Sequence, residues 1–341
     1  MYIYLFIIFL IILFNKKINT NKMNFFDVII LFFMITVCGL RKNVGTDYGL
    51  YKFYYGNLGK GSRFEIGFKN LMIFCNKIGC SYNVFIFIIA AITIILFYLV
   101  IKRYSKKPAD SIFYFIALGY YAFSFNIIRQ MLAISISLVG IKYIKEKNFI
   151  KYLVVIAIAS LFHLSALIMI PAYFLLKLPN NRKINIALVF ICICAMFLYN
   201  DVYHFVIKNF TQYSAYSEVN AYTFTKPGLG TYIVGLVNFV LFIVMFINRK
   251  KIRELDDMYD EYFKLFSYSL IFTGFSFVNS IAVRAGYYLS IYMIFLLPYL
   301  GKILFKKENK KFEIIIVMFF IAYYVVHLVS FNKMIPYNSI I

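Results

Sequence analysis

The sequence predicts an all-α membrane protein, a helical bundle of about ten spanning helices with one re-entrant pair of short helices. Three observations predict this class. Mean hydropathy is +0.79, hydrophobic residues make up 63% of the chain, and clusters of Lys and Arg separate the apolar runs. A chain of this composition is expected to bury its apolar runs in lipid.

The apolar runs give the predicted spans. Several are shorter than the roughly 20 residues that a bilayer usually requires, so their ends are expected to extend into flanking Tyr-rich and Lys-rich residues. The predicted spanning runs are about 1–14, 25–40, 82–101, 111–125, 127–144, 184–199, 230–247, 263–281, 285–300 and 312–331.

Charge predicts the orientation of these helices. Of the 36 Lys and Arg, 24 lie in six short segments, which the positive-inside rule assigns to the cytoplasm. Both termini are then expected outside, with the first run an uncleaved helix because it lacks a basic n-region and a small-residue cleavage site. The six segments are about 16–24, 102–110, 142–151, 177–183, 248–264 and 301–311.

The net charge of +22 is also consistent with a membrane protein. These cations occur in short clusters at helix ends, where they meet anionic lipid headgroups. Membrane lipids are therefore the expected partner of these cations, and nucleic acid is not expected.

The stretch 152–176 is one apolar run between two basic clusters. A single span would place the second cluster outside, whereas a re-entrant pair of helices with its tip at residues 162–165 keeps it inside. Re-entrant backbone is tolerated only where protein or water covers it. We therefore favour a re-entrant pair whose tip lines a cavity.

The chain shows no internal repeat and no Gly/Ser-rich or Pro-rich linker. The natural division is a single integral membrane domain over residues 1–341. External loops are predicted at about 41–81 and 200–229. Within the first loop, Glu65 precedes a predicted interfacial amphipathic helix whose apolar residues are Ile66, Phe68, Leu71, Met72 and Cys75.

Isolated ionisable groups lie between the apolar runs, on the predicted outer side. Arg129 has apolar residues on both sides, and a cation at membrane depth costs roughly 2.5–3.5 kcal/mol on insertion scales. His163 lies beside Ser165 at the proposed re-entrant tip, where a neutral imidazole accepts a proton from a hydroxyl. Snorkelling of the arginine and simple packing of the histidine are the structural alternatives.

Three arginines, Arg41, Arg129 and Arg284, reach this face from distant parts of the chain. Guanidinium pairs bidentately with phosphate, so an anionic ligand such as a lipid-linked pyrophosphate is indicated. Gly45 permits a turn that would bring Asp47 back toward Arg41. Turn and surface roles for these residues are the structural alternatives.

The sequence contains no H-E-x-x-H, no paired-Asp motif and no Cys/His cluster at ligand spacing. It also contains no Walker or dinucleotide loop. We therefore expect no metal, no nucleotide and no cofactor.

Four motifs in order resemble the EpsG branch of Wzy-type oligosaccharide repeat-unit polymerases. The chain departs from that pattern at Ile66, where Pro is expected. The second half contributes Arg284 and the terminal Ile335-Pro336-Tyr337. The four motifs are residues 41–51, 65–68, 126–130 and 161–166.

The resemblance implies a glycosyltransferase at the outer face of the cytoplasmic membrane, in a fold we expect to be GT-C-like. It would join undecaprenyl-pyrophosphate-linked repeat units into a capsule, O-antigen or exopolysaccharide. A separate flippase and a chain-length regulator are the expected partners. Pyrophosphate is a good leaving group, so charge neutralisation and a base for the acceptor hydroxyl are the chemistry required.

Within this hypothesis the candidate base is His163, with Asp47 and Glu65 left open as alternatives. The other candidates are expected to bind pyrophosphate or sugar, with Arg129 and Arg284 on the pyrophosphate and Arg41 assisting. The full binding set is Arg41, Arg129, Gln130, Arg284, Tyr48 and Tyr51.

Other functions fit the same composition. A lipid-linked oligosaccharide flippase would handle the same anion, but paired structural repeats are expected of it and none is visible. A membrane O-acyltransferase acting on surface polysaccharide would be expected to carry an early-span catalytic His, and the first 162 residues contain none. A purely structural protein would have no reason to retain arginines between apolar runs.

Overall fold

The computed structural model describes residues 1–58, 64–209, 227–279, 282–304, 310–330 and 334–340. Within these ranges all regular elements are helical, with one isolated β-bridge between Arg41 and Ser339. The helices are α1 (Tyr2–Leu13), α2 (Asn15–Ile18), α3 (Phe25–Gly39), α4 (Tyr48–Gly56), α5 (Ile66–Lys77), α6 (Tyr82–Tyr104), α7 (Pro108–Ala117), α8 (Tyr120–Asn126), α9 (Ile128–Val139), α10 (Ile141–Lys145), α11 (Phe149–Ser160), α12 (Met169–Leu175), α13 (Arg182–Asn209), α14 (Leu229–Ile247), α15 (Arg249–Leu255), α16 (Tyr259–Ser276), α17 (Val283–Ser290), α18 (Met293–Leu296), α19 (Leu300–Leu304) and α20 (Lys310–Ser330).

Four helical stretches in the described ranges are long and apolar enough to cross a membrane: Tyr82–Tyr104, Leu229–Ile247, Val283–Lys302 and Lys311–Val329. Helix is present in each of the other predicted runs, but those helices do not combine the length and the apolar composition of a candidate span. The all-helical membrane class is confirmed, whereas the count of about ten spans and the GT-C-like arrangement stay predictions.

A glycine explains one of the interruptions. The predicted span 111–125 is divided between α7 and α8 at Gly119, whose φ of +87° lies in the left-handed region. A Cβ at Gly119 would also come within 2.9 Å of the His327 ring. Hydropathy averages over such a break, so the sequence pattern did not reveal it.

The chain forms two compact units. One comprises Met1–Ile170 with Ile294–Ile341, and the other comprises Pro171–Met293. In the second unit, α13, α14 and α17 each pack on α16. The single-domain division stays a prediction, and most of the predicted loop 200–229 lies outside the described residues.

In the first unit, α6 packs between α3 and α9. A buried ion pair joins α3 to the end of α6, because Lys102 Nζ lies 2.9 Å from Asp27 Oδ1 with the two side chains 2% and 0% exposed. The hydroxyl of Tyr98 donates to Asp27 at 2.7 Å. Lys102 belongs to a predicted cytoplasmic cluster, but it lies in the protein interior and cannot meet headgroups as predicted.

The stretch 152–176 reverses direction as expected of a helix pair. Helix α11 ends at Ser160, His163 precedes a short 3₁₀ helix (Leu164–Ile168), and α12 follows. The hydroxyl of Tyr152, in the first turn of α11, donates to the Met169 carbonyl at 2.9 Å. The chain therefore doubles back at His163, the place where the sequence predicted the tip.

Residues 334–340 return to the start of the loop that follows α3, which was predicted to be external. Lys42 N donates to Asn338 O, and Ile340 N donates to Leu40 O, both at 2.9 Å. The Tyr337 hydroxyl donates to the Val37 carbonyl at 3.0 Å. The terminal motif thus holds the chain where it leaves α3.

Candidate active site

The carboxylate of Glu65 joins three parts of the chain that are far apart in sequence. Its Oε1 lies 2.7 Å from Nδ1 of His163 and also accepts from the backbone N–H of Leu164 at 3.2 Å. Its Oε2 accepts a hydrogen bond from Nη1 of Arg129. His163, a predicted base, and Arg129, a predicted ligand of pyrophosphate, therefore meet at Glu65, which is itself one of the alternative base candidates.

The start of α5 is what brings Glu65 to the tip of the helix pair. Gly67 N donates to the carbonyl of Leu161 at 2.8 Å, so the amides that begin α5 meet a carbonyl at the end of α11. A Cβ at Gly67 would lie 2.8 Å from that same carbonyl oxygen. Only glycine permits this approach without displacement of α5.

Gly67 is a positioning residue that the sequence reasoning did not single out. The available signal was a glycine in the first turn of an amphipathic helix, directly after Glu65 and Ile66. The departure from the family pattern at Ile66 leaves the helix start in place, because α5 begins at Ile66.

Arg129 lies in the first turn of α9 with its side chain 22% exposed. Its guanidinium stacks over the ring of Phe64, with Cζ 4.4 Å from the ring centroid. The phenol of Tyr51 also hydrogen-bonds to this guanidinium. In the described part of the chain, the buried Nε atom of Arg129 has no hydrogen-bond partner.

The electrostatics of Glu65 follow from these contacts. Burial acts to raise the pKa of the carboxyl, but the hydrogen bond with His163 and the charge of Arg129 outweigh it and lower the pKa to about 2. Glu65 is therefore a carboxylate at neutral pH and a weak base. Its arrangement suits a group that orients His163 and compensates Arg129.

The hydrogen bond also decides the histidine tautomer. A neutral imidazole that donates from Nδ1 to a carboxylate carries its lone pair on Nε2. A carboxylate behind the imidazole stabilises the imidazolium that forms when Nε2 takes a proton. The contact between Glu65 and His163 is therefore that of an imidazole oriented by a carboxylate.

Arg41 has a different environment from Arg129. It is 2% exposed, and Nη1 and Nη2 donate to the carbonyls of Cys38 and Phe125. The chain turns at Gly45, whose φ is +99°, but the guanidinium contacts carbonyls and not Asp47. In this conformation Arg41 holds the loop after α3, and its assistance in ligand binding stays a prediction.

Asp47 lies directly before α4 and accepts a hydrogen bond from the Thr46 hydroxyl at 3.1 Å. The Thr46 amide donates to Oδ1 of Asn126 at 2.6 Å, so Asp47 is held near the end of α8. Asp47 makes no contact with Glu65 or His163 among the described interactions. Its role as a base or a sugar ligand stays a prediction.

The remaining candidates differ in position. Tyr48 is buried and donates from its hydroxyl to Asn83 Oδ1 at 3.2 Å, so it packs in the core beside α6. Tyr51 contacts Arg129 through its phenol, as described above. Gln130 is buried in α9. Arg284 is exposed on α17 in the second compact unit.

Within the described ranges, no group of three or more His, Cys, Asp or Glu residues could hold a metal ion. The cysteines Cys75 and Cys80 of the first loop are free thiols.

Of the comparisons with known proteins, the one with family models gives a match. No curated protein and no solved structure matches the sequence. The model of the EpsG family matches residues 24–339, which include Glu65, Arg129 and His163. Because this match extends over nearly the whole sequence, the chain belongs to the EpsG family.

Proposed function

We propose that this membrane protein is a polysaccharide polymerase that joins undecaprenyl-pyrophosphate-linked oligosaccharide repeat units at the outer face of the cytoplasmic membrane. Membership of EpsG, a glycosyltransferase-like polymerase family, supports the reaction class. The observation that carries the proposal is the contact of one carboxylate, Glu65, with both His163 and Arg129. That arrangement pairs a base with an anion-binding cation.

In the proposed reaction His163 Nε2 takes the proton from a hydroxyl on the non-reducing-end sugar of a newly flipped unit. The hydroxyl oxygen forms a bond to the anomeric carbon of the growing chain. The bond from that carbon to the pyrophosphate oxygen breaks, and undecaprenyl pyrophosphate leaves. The proton remains on His163 until solvent accepts it.

Arg129 contributes charge neutralisation in this scheme. Negative charge grows on the leaving pyrophosphate, and a guanidinium held in place by Glu65 and Phe64 stabilises it without reorganisation. Because Glu65 already compensates Arg129 in the free protein, the arginine stays ordered before the substrate arrives. Arg41, in the same compact unit, is proposed as an additional ligand of the pyrophosphate, and the role of Arg284 stays a prediction.

The base assignment rests on chemistry at neutral pH. The lowered pKa of Glu65 makes it a poor proton acceptor, and Asp47 contacts Thr46 instead of the histidine. His163 is the group whose tautomer leaves a basic nitrogen. We therefore propose His163 as the base and Glu65 as its orienting residue.

The test is the surface polysaccharide of a deletion strain complemented with wild type, Arg129→Lys or Arg129→Ala, with membrane levels of each protein measured. Arg129→Ala is expected to leave single repeat units on lipid or core without longer chains. Arg129→Lys keeps the charge but loses the planar guanidinium that pairs with phosphate through two hydrogen bonds, so only small amounts of the longer chains are expected. Arg253→Ala, which removes an exposed cation paired with Asp260, is the control and should give a normal ladder.

The same profile distinguishes the alternatives. Repeat units trapped on the cytoplasmic leaflet would identify a flippase. An unchanged ladder that lacks one acyl substituent would identify an O-acyltransferase. A full ladder with Arg129→Ala at normal protein level would contradict the proposed role of Arg129.

A further inference from the structure

Helices α4 and α5 each have two apolar faces. Their inner faces pack in the core of the first unit against α6 and α9. The inner residues are Tyr51, Tyr55, Phe68, Met72 and Cys75, all buried. The prediction that Phe68, Met72 and Cys75 face the membrane interface is therefore wrong, because they pack in the protein core. The core therefore accounts for one face of each helix and leaves the other unexplained.

The outer faces carry large apolar side chains that the protein does not cover. Phe53 of α4 is 54% exposed and Phe74 of α5 is 59% exposed. Lys52, Asn70 and Lys77 are exposed on the same two helices. We call this surface the outer apolar face, defined by Leu50, Phe53, Ile66, Phe74 and Ile78, each more than half exposed.

The outer apolar face is continuous with a membrane-spanning helix. Ile78 follows α5 directly, and α6, the candidate span with the highest hydropathy, begins at Tyr82. The loop that carries α4 and α5 begins where α3, another apolar helix, ends at Gly39. Both helices therefore lie in the segment that links two apolar helices, α3 and α6.

Composition agrees with an interfacial position. Apolar side chains next to lysines and asparagine are typical of helices that lie in the plane of the headgroups, where apolar groups enter the acyl boundary and lysines meet anionic lipid. The charges of Lys52 and Lys77 are complementary to such a surface. A helix immersed in the hydrocarbon would not carry them at this density.

We propose that the outer apolar face of α4 and α5 lies in the boundary between lipid headgroups and acyl chains of the outer leaflet. Because Glu65 directly precedes α5, this placement holds the contact between Glu65 and Arg129 at the depth of lipid phosphates. The proposed position of this surface requires only that the protein lies in a membrane. The consequence for the reaction rests on the proposed function.

The chain contains no Trp, so a single introduced Trp reports on its own surroundings. Phe53→Trp and Phe74→Trp probe the outer apolar face at two independent positions. Ile92→Trp, on an exposed position of α6, is the deep lipid control, and Glu146→Trp, in the turn after α10, is the aqueous control. Each full-length variant is reconstituted in nanodiscs of anionic phospholipid, with and without brominated acyl chains.

For Phe53→Trp and Phe74→Trp we expect strong quenching by bromines placed near the headgroup end of the chain and weaker quenching by bromines placed deep. Ile92→Trp should show the opposite preference. Iodide in the buffer should quench both outer-face probes less than it quenches Glu146→Trp.

Iodide quenching equal to that of Glu146→Trp, with no effect of bromolipid at either position, would overturn the proposal and leave a partner protein as the occupant of this face. Because fluorescence requires no turnover, its outcome is independent of the polymer-ladder test. Lipid quenching in a protein without polymerase activity would support the proposed position of this surface and contradict the proposed function.

Discussion

His163 Nδ1 and Glu65 Oε1 lie 2.7 Å apart although 98 positions separate the two residues in the chain. The contact orients the imidazole so that its basic nitrogen is Nε2. It also leaves the second carboxylate oxygen of Glu65 for Arg129. A single acidic side chain therefore links the proposed base to the proposed anion ligand.

Replacement of His163 by Asn separates the two roles of the histidine. An Asn amide reproduces the Nδ1–H donor toward Glu65 but has no basic nitrogen, so the fold should persist and polymerisation should fall by roughly 10²–10⁴-fold. The measurement is polymer formed per unit of membrane protein. Normal activity in His163→Asn together with loss in His163→Ala would show that the histidine only positions Glu65.

Glu65→Gln removes the charge and retains the size of the side chain. The pKa of Glu65 is lower in the folded state than its ordinary value of 4.5, so the folded state binds fewer protons than the unfolded state between pH 2 and 4.5. The stabilisation is fully present above pH 4.5 and is lost as the pH falls toward 2. It amounts to roughly 3 kcal/mol.

Thermal unfolding of the detergent-purified protein, measured across this pH range, tests the prediction. The stability difference between wild type and Glu65→Gln should shrink steadily as the medium is acidified. A difference that is the same at pH 6 and pH 3 would refute the assignment of the lowered pKa to this carboxylate. At neutral pH the variant should also lose polymerase activity, because His163 loses its orienting charge.

Gly67→Ala should misplace Glu65 without removing any catalytic group. The added Cβ meets the Leu161 carbonyl oxygen at 2.8 Å, so α5 must move away from the tip of the helix pair. We expect a loss of about 1–3 kcal/mol in stability together with a lower rate of polymerisation. Gly49→Ala on α4 is the matched control, because a Cβ there meets nothing within 4 Å.

For the glycine pair, activity and melting temperature are measured on the same preparations. Gly49→Ala should retain wild-type activity and gain a little stability from its lower chain entropy. Equal behaviour of the two variants would mean that the contact between Gly67 and Leu161 does not position the site.

Lys102→Met should destabilise the first unit strongly, because it leaves the carboxylate of Asp27 buried without its cation. Loss of one partner of a buried ion pair costs about 3–5 kcal/mol. The double variant Asp27→Asn, Lys102→Met removes both charges and keeps an acceptor for Tyr98, so it should recover most of that loss.

Unfolding of the single and double variants in detergent measures this coupling. Lys142→Met, which breaks an exposed pair with Glu146, is the control and should change stability by less than about 1 kcal/mol. A double variant as unstable as Lys102→Met would show that packing, and not the unpaired charge, causes the loss.

Local sequence pattern was enough for the fold class and for much of the helix inventory. Hydropathy identified the runs that became α3, α6 and α14, and the polar tip between apolar stretches predicted the reversal at His163. These features depend on residues close together in the chain, where periodicity and composition act directly. The same local signals identified Glu65, Arg129 and His163 as candidates.

Local pattern did not distinguish among chemically similar candidates. Arg41 and Arg129 both stand at the ends of apolar runs, yet Arg41 donates to carbonyls of its own core and Arg129 meets Glu65. Lys102 resembled a headgroup ligand and is buried on Asp27. Burial and partner depend on helices that pack from distant parts of the chain, which hydropathy does not encode.

The sequence by itself determined that this is a helical membrane protein of the EpsG type and which residues were candidates for its chemistry. The tertiary structure decided that Glu65, and not Asp47, contacts His163, and that Arg129 shares the same carboxylate. The physical reason is the docking of α5 on the Leu161 carbonyl through Gly67. A contact of that kind exists only when two helix ends meet in space.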